Sequence, residues 1–255
     1  MTSFTPDEIM VTRAANELRN GEVVFVGIGL PNLACNLARR LQAPGLILIY
    51  ESGAVGAVPS RLPLSIGDPC LVTDSISVCS MVEIFNYYLQ GGLIDVGFLG
   101  GAQVDRFGNI NSTVIGDYQY PKVRLPGSGG ACEISIHAKK IIIILKQNKK
   151  TFPEKIDFIT TPGFIDEKNQ RKKYGMPGRG PVLVITDLGV YTFSEESFEM
   201  VLTEIHPPNP SIEKINDNIS WDLKISDSLK TTKPPTEEEL NIIRKELDPE
   251  RIYLR

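Results

Sequence analysis

The sequence predicts an α/β fold, an open and largely parallel sheet flanked by helices. Three observations predict it. The run Leu46-Ile47-Leu48-Ile49-Tyr50 is unbroken and apolar, as in a strand buried on both faces. Comparable short runs alternate along the chain with stripes of helical period. Turns with glycine or a charged residue follow several of the runs, where open α/β sheets bind ligands. At 255 residues the chain is read as a single domain, 1–255, with a Pro-rich C-terminal extension from about residue 206 that ends in a helix.

Taken in order, Thr5-Pro6-Asp7-Glu8 is a helix start, with a capping hydroxyl, a first-turn proline and two acids for the positive end of the dipole. Ile9, Ala14 and Leu18 give its apolar stripe, and Asn20-Gly21 ends it. Val23 to Val26 is a buried strand. Gly27-Ile28-Gly29-Leu30-Pro31 then turns the chain into a helix over Asn32 to Leu41. A Gly-x-Gly here suits either a phosphate or a tight turn, and the third glycine of the dinucleotide fingerprint is missing. Glu51 closes the Leu46–Tyr50 run, as a catalytic carboxylate or as a charge where a strand leaves the core. Ala57 to Asp68 contains Pro59 and Pro63 and reads as an irregular loop.

Ser80 to Leu89 is a helix with Phe85 and Tyr88 on one face, and Leu93 to Leu99 is a strand. Gly100-Gly101 follows it, and Asp105-Arg106-Phe107-Gly108-Asn109 is turn chemistry. Gly127-Ser128-Gly129-Gly130 opens the helix Ala131 to Ala138, so free N–H groups can meet an anion or an oxyanion. Strands are expected over Ile141–Leu145, Ile156–Thr160, Val182–Thr186 and Val190–Phe193. Gly163 to Gly180 is a loop whose Arg171, Lys172, Lys173 and Arg179 are read as exposed charges, or as phosphate contacts. Pro207, Pro208 and Pro210 exclude regular structure after His206. Thr236-x-x-Glu239 is a capping box before a helix over Leu240–Leu247.

A net charge of −4 without a basic block before Lys139 argues against nucleic acid. The four cysteines form no C-x-x-C pair, so neither a zinc site nor a disulfide framework is indicated, and a reducing cytoplasm is expected. The longest aliphatic run, Ile141 to Leu145, is too short to cross a membrane. With only His137 and His206 and no nucleophile elbow, the chemistry must lean on carboxylate, amide and backbone groups.

Tyr50-Glu51-Ser52-Gly53, the stretch Gly100 to Thr113 and Gly127-Ser128-Gly129-Gly130 together resemble the β subunit of class I coenzyme A transferases, the glutaconate CoA-transferase β subunit in particular. Ile115-Gly116-Asp117-Tyr118, Thr161-Pro162-Gly163 and the tail Glu246-Leu247-Asp248-Pro249 extend the likeness over nearly the whole chain. The resemblance implies a fold shared with ribose-phosphate and glucosamine-phosphate isomerases. It implies that Glu51 is the nucleophile, that Gly129 and Gly130 supply an oxyanion hole, and that Gly127, Gly100, Gly101 and Gln103 hold coenzyme A. Gly27, Gly29, Ser52, Asn109 and Asn111 are the further pocket residues. Acyl-CoA and a carboxylic acid are the substrates, with no metal and no permanently bound cofactor. A separate α subunit would complete a hetero-oligomer such as α2β2 or larger. The segment Cys70 to Gln90, with Cys79, departs from the glutaconate enzyme. Related scaffolds carry hydrolases, C–C bond-cleaving enzymes and decarboxylases, the last lacking the glutamate. A ligand-sensing module of the same fold is the non-enzymatic alternative.

Overall fold

A computed structural model describes residues 3–254. The chain divides into two compact units. The first contains residues up to Phe98 and the C-terminal segment from Lys233. Helix α1 (Pro6–Ala15) begins with the expected cap: Thr5 accepts from the Glu8 amide while Glu8 reaches back to Thr5. Strand β1 (Val23–Phe25) leads into helix α2 (Leu30–Arg40). Strand β2 (Ile47–Ile49) pairs parallel to β1 and antiparallel to the short β3 (Ala54–Val55), which pairs in turn with β4 (Ser77–Val78). Helix α3 (Met81–Glu83) continues as a π-helical segment, Ile84–Leu89, and β5 (Val96–Leu99) lies parallel to β1.

α1 packs on α2, and the C-terminal helix Glu237–Asn241, with its π-helical continuation Ile242–Leu247, packs there too. Arg244 clamps that helix to α1 by a bond of 2.6 Å to Glu8. The core of this unit is built from Ile9, Leu33, Leu37, Leu48, Ile84 and Val96, all at most 1% exposed. Burial of such side chains stabilises by about 1.5–3 kcal/mol each.

The second unit, Leu99–Thr232, opens with two hairpins. Strands β6 (Gln103–Val104) and β7 (Ile110–Asn111) form one, β8 (Val114–Gly116) and β9 (Pro121–Arg124) the other. After helix α4 (Ala131–His137), β10 (Lys140–Ile144) pairs parallel to β11 (Pro181–Ile185). Strands β12 (Gly189–Phe193) and β13 (Met200–Ile205) continue antiparallel. Beyond helix α5 (Ile212–Asn216), β14 (Lys224–Thr231) adds parallel to β13. Phe152 anchors this core against Tyr191 and Trp221, with ring centroids 6.4 and 5.9 Å apart. Parallel pairs at the core of a mixed sheet, flanked by helices, bear out the predicted fold class.

Three expectations need correction. Ile156–Thr160 is no strand: Pro153 and Pro162 bracket it, and the only ladder contact there among the described residues is a bridge between Thr161 and Ile110. Strands β13 and β14 went unforeseen. β14, Lys-Ile-Ser-Asp-Ser-Leu-Lys-Thr, is mostly exposed and shows no buried face to read. Arg171 is not a surface charge. It is 2% exposed and donates to the carbonyls of Ser135, Pro162, Gly163 and Gly178, stapling the 163–180 loop to α4. Burial pushes its guanidinium down to about 10.

Candidate active site

Glu51 lies just past the carboxyl end of β2, in the turn that leads to β3. It is half-buried, and its carboxylate has no hydrogen-bond or ion-pair partner among the described residues. The turn around it is held tightly. The Gly53 amide donates to the Tyr50 carbonyl at 2.9 Å, and the Gly53 carbonyl accepts from the Cys79 amide at 2.9 Å. Gly53 has φ +116°, and a Cβ there would sit 2.0 Å from the Cys79 carbonyl oxygen, so only glycine fits. The Cys79 thiol, 3.3 Å from Ser77 Oγ and 4.0 Å from Tyr88 Oη, therefore belongs to the wall of this turn.

Beneath Glu51, Tyr50 is fully buried and its hydroxyl accepts from Asn32 Nδ2 at 2.7 Å. Asn36 in turn donates to the Asn32 carbonyl and side chain. Burial pushes the Tyr50 phenol well up, so it stays neutral. This polar chain was missed from sequence, although Asn32 and Asn36 sit four residues apart on a helix otherwise lined by Ala and Leu.

Gly27 is exposed, and nothing lies within 4 Å of a Cβ built on it. The β1–β2 register sets Phe25 beside Ile49, and the Val26 amide still donates to Ile49. Past that register the chain leaves both strands, into the Gly27–Gly29 turn after β1 and the Tyr50–Gly53 turn after β2, at the same end of two neighbouring parallel strands. Gly29, with φ +97°, caps α2. Its amide lies against the hydroxyl of Tyr253, which donates to the Pro63 carbonyl. Burial raises the Tyr253 phenol to about 12. The C-terminal tail thus fixes the Gly27–Gly29 turn and the 57–68 loop together, a link that no local sequence pattern signals. Ser52 is exposed.

The remaining predicted residues lie in the second unit. The Asn109, Gln103 and Asn111 side chains are fully engaged within it. Asn109 donates to Asp105 and the Ile165 carbonyl and accepts from the Gly163 and Ile165 amides. Gln103 donates to Asp157 and accepts from Asn111 and the Asp157 amide. Asn111 also donates to the Val114 carbonyl and accepts from the Thr113 amide. Gly101 admits Ile110, whose Cγ2 would be 2.2 Å from a Cβ, and Gly100 is exposed.

The glycine loop is held by reciprocal bonds between Gly127 and Ser112, and the Ser112 amide donates to Thr160. Gly127 and Gly129 take φ +100° and +48°, and a Cβ on either would meet nothing within 4 Å. The Ser128, Gly129 and Gly130 amides have no acceptor among the described residues. Three unpaired N–H groups in one loop can take up negative charge.

The first unit thus offers a carboxylate without a partner just past a strand end, and the second a loop of free amides, each in a mixed α/β scaffold. The sequence profile of the family Coenzyme A transferase matches residues 8–218, and the chain belongs to that family. It is 51% identical over 244 residues to the B-type subunit of 3-oxoadipate CoA-transferase from Pseudomonas knackmussii, covering 96% of this chain and 94% of the relative. It is 36% identical to the B-type subunit of glutaconate CoA-transferase from Acidaminococcus fermentans, covering 100% and 96%. The crystal structure of that glutaconate coenzyme A-transferase superposes with a TM-score of 0.93, covering 100% of this chain and 98% of the matched one. The decarboxylase AibA/AibB superposes with a TM-score of 0.84 at 25% identity, covering 97% and 96%.

Proposed function

We propose that this chain is the B-type subunit of a CoA transferase and moves coenzyme A from an acyl-CoA to a carboxylic acid through a glutamyl-CoA thioester on Glu51. The observation that carries the reading is the half-buried Glu51 carboxylate just past the carboxyl end of β2, without a partner among the described residues. Glu51 attacks the thioester carbonyl, and the thiolate of coenzyme A leaves as a mixed anhydride forms. The thiolate then attacks the Glu51 carbonyl, which expels the donor acid as a carboxylate and leaves the glutamyl thioester. The acceptor carboxylate repeats the two steps in reverse. Each tetrahedral intermediate carries an oxyanion, and the Gly129 and Gly130 amides are our candidates to stabilise it. We assign Gly127, Gly100 and Gly101 to coenzyme A binding through the backbone, and Gly27, Gly29 and Ser52 to the acyl pocket. Gln103, Asn109 and Asn111 act in this reading by holding the surrounding turns.

The chain works with a separate A-type subunit in a hetero-oligomer, α2β2 or larger. The likeness to B-type subunits of two such enzymes supports this. 3-Oxoadipate and glutaconate, the acids named in them, are the first acceptors to test. Borohydride reduces a thioester to an alcohol and spares a free carboxylate. Treatment after incubation with acyl-CoA should abolish activity and convert Glu51 to the alcohol, with no effect when acyl-CoA is omitted. Glu51→Gln should be inactive. Transfer at the wild-type rate by Glu51→Gln, with no adduct trapped on the wild type, rejects the mechanism. An adduct that water discharges without an acceptor acid would instead mark a hydrolase.

A further inference from the structure

The β8–β9 hairpin exposes chemistry that neither the fold nor the reaction at Glu51 uses. Tyr118 is 51% exposed and Tyr120 86%, the highest value among the exposed large apolar side chains. Tyr118 stacks on Phe158 with centroids 5.4 Å apart and planes 23° from parallel. The Arg124 guanidinium lies 4.9 Å from the Tyr118 ring centroid and donates to the Tyr118 carbonyl at 2.9 Å. Lys122, one pleat away on β9, is exposed. Neither cation has an acidic partner among the described residues. The one carboxylate between Gly116 and Gly130, Asp117, already accepts from the Gln119 and Tyr120 amides. Aromatic faces and two uncompensated cations thus share one small surface on a chain of net charge −4.

We propose that this hairpin binds the adenosine-phosphate end of coenzyme A, an inference that rests on the CoA-transfer reading above. Any base presents a π-face to an aromatic platform, and Arg and Lys supply charge-assisted bonds to phosphate. The placement fits the ligand. β9 runs into the glycine loop, with the Leu125 and Gly127 amides bonded to the Thr113 and Ser112 carbonyls at 3.0 and 2.8 Å. Gly129 comes five residues after Arg124, at most about 18 Å of chain. A molecule with a charged nucleotide at one end and a thioester at the other can lie along that path. A second exposed basic group, Lys172, Lys173 and Arg179, is tied to the far end of α4, where the Gly178 and Arg179 amides donate to Ile136 and Lys139. The helix puts about 10 Å between that end and the glycine loop.

The test compares acyl-CoA with the acyl-pantetheine thioester, which lacks the nucleotide, on the complex purified with its partner subunit. In the Lys122→Ala/Arg124→Ala variant the ratio of KM for acyl-CoA to KM for acyl-pantetheine should rise about tenfold. Affinity for adenosine 3′,5′-bisphosphate, read by calorimetry, should fall by a similar factor, and Tyr120→Ala should move both in the same direction. An equal rise in both KM values, or unchanged bisphosphate affinity, overturns the proposal. So does loss of the partner subunit with bisphosphate affinity intact, which would make the hairpin a protein contact. Should the wild type transfer no coenzyme A, the bisphosphate measurement still decides the hairpin separately from Glu51.

Discussion

Gly27 offers a test at the scale of one residue that separates substrate space from folding. A side chain there meets no protein atom, and its backbone needs no left-handed conformation. Gly27→Val should therefore leave the melting temperature within a few degrees of wild type. If the open volume at Gly27 receives the acyl group, kcat/KM should fall by about 10²-fold or more, as for a displacement of about 1 Å in the reacting geometry. Retained activity with a bulky residue would remove Gly27 from the pocket. Arg171 is the opposite case, a residue with no open space around it. Lysine keeps the charge but cannot reach the carbonyls of Ser135, Pro162, Gly163 and Gly178 with a planar fork. Bonds to a charged group are worth about 1.5–3 kcal/mol each, so Arg171→Lys should cost at least about 2 kcal/mol in urea unfolding. A loss within about 0.5 kcal/mol would mean the carbonyls find other partners.

At the scale of the element, the loop 127–130 combines fixed ends with free amides. Ser112 holds it at Gly127, and α4 continues from Gly130. Gly129→Ala should cost about 1–2 kcal/mol of stability, because alanine resists the left-handed conformation. If the Gly129 amide faces the developing oxyanion, kcat should also drop about 10²–10³-fold, measured at temperatures where the variant is fully folded. A change in stability alone would make the loop a turn. The edge made by β3 and β4 is a second element of interest. The glycine-only contact of Gly53 with Cys79 ties it to the Glu51 turn, and the π-helical segment 84–89 follows it. Such segments interrupt regular helix geometry and recur at functional sites.

For the whole molecule, two carboxylates give stability an opposed pH dependence. Burial raises Asp105 to about 6, despite the bonds it accepts from the Asn109 side chain and the Phe107 and Asn109 amides. Its unfolded value is near about 3.9. Between those values the folded chain keeps a proton that the unfolded chain has released. The stabilising contribution is full below about pH 4 and is lost as pH rises through about 6, an effect of about 3 kcal/mol. Asp68 works the other way, because Arg61 and the Leu64 and Cys70 amides hold its carboxyl well below the usual range. Its contribution is present above about pH 4 and is lost in stronger acid. Thermal melts should therefore show stability falling between about pH 4 and 6, and Asp105→Asn should flatten that slope while leaving the acid limb. A slope unchanged in Asp105→Asn would place the titrating group elsewhere.

The sequence by itself determined the α/β class, the strands β1, β2, β5, β10, β11 and β12, the capped helix starts at Thr5 and Thr236, and the family. These follow from local rules: the unbroken apolar run at Leu46–Tyr50, the capping boxes, and glycines that turn the chain. Glu51 was legible for the same reason, as a charge directly after a buried strand. Only the tertiary structure decided which polar residues are free and which are engaged. Gln103, Asn109 and Asn111 look like ligand contacts in the sequence, yet their side chains satisfy turns whose partners lie up to 56 residues away. Arg171 looks exposed and is buried, and the turns that follow β1 and β2 share one end of the sheet only through the β1–β2 register. A hydrogen bond or a strand register is a relation between distant segments. Composition and periodicity report how each segment behaves alone, so they reveal the elements and leave the partners to the fold.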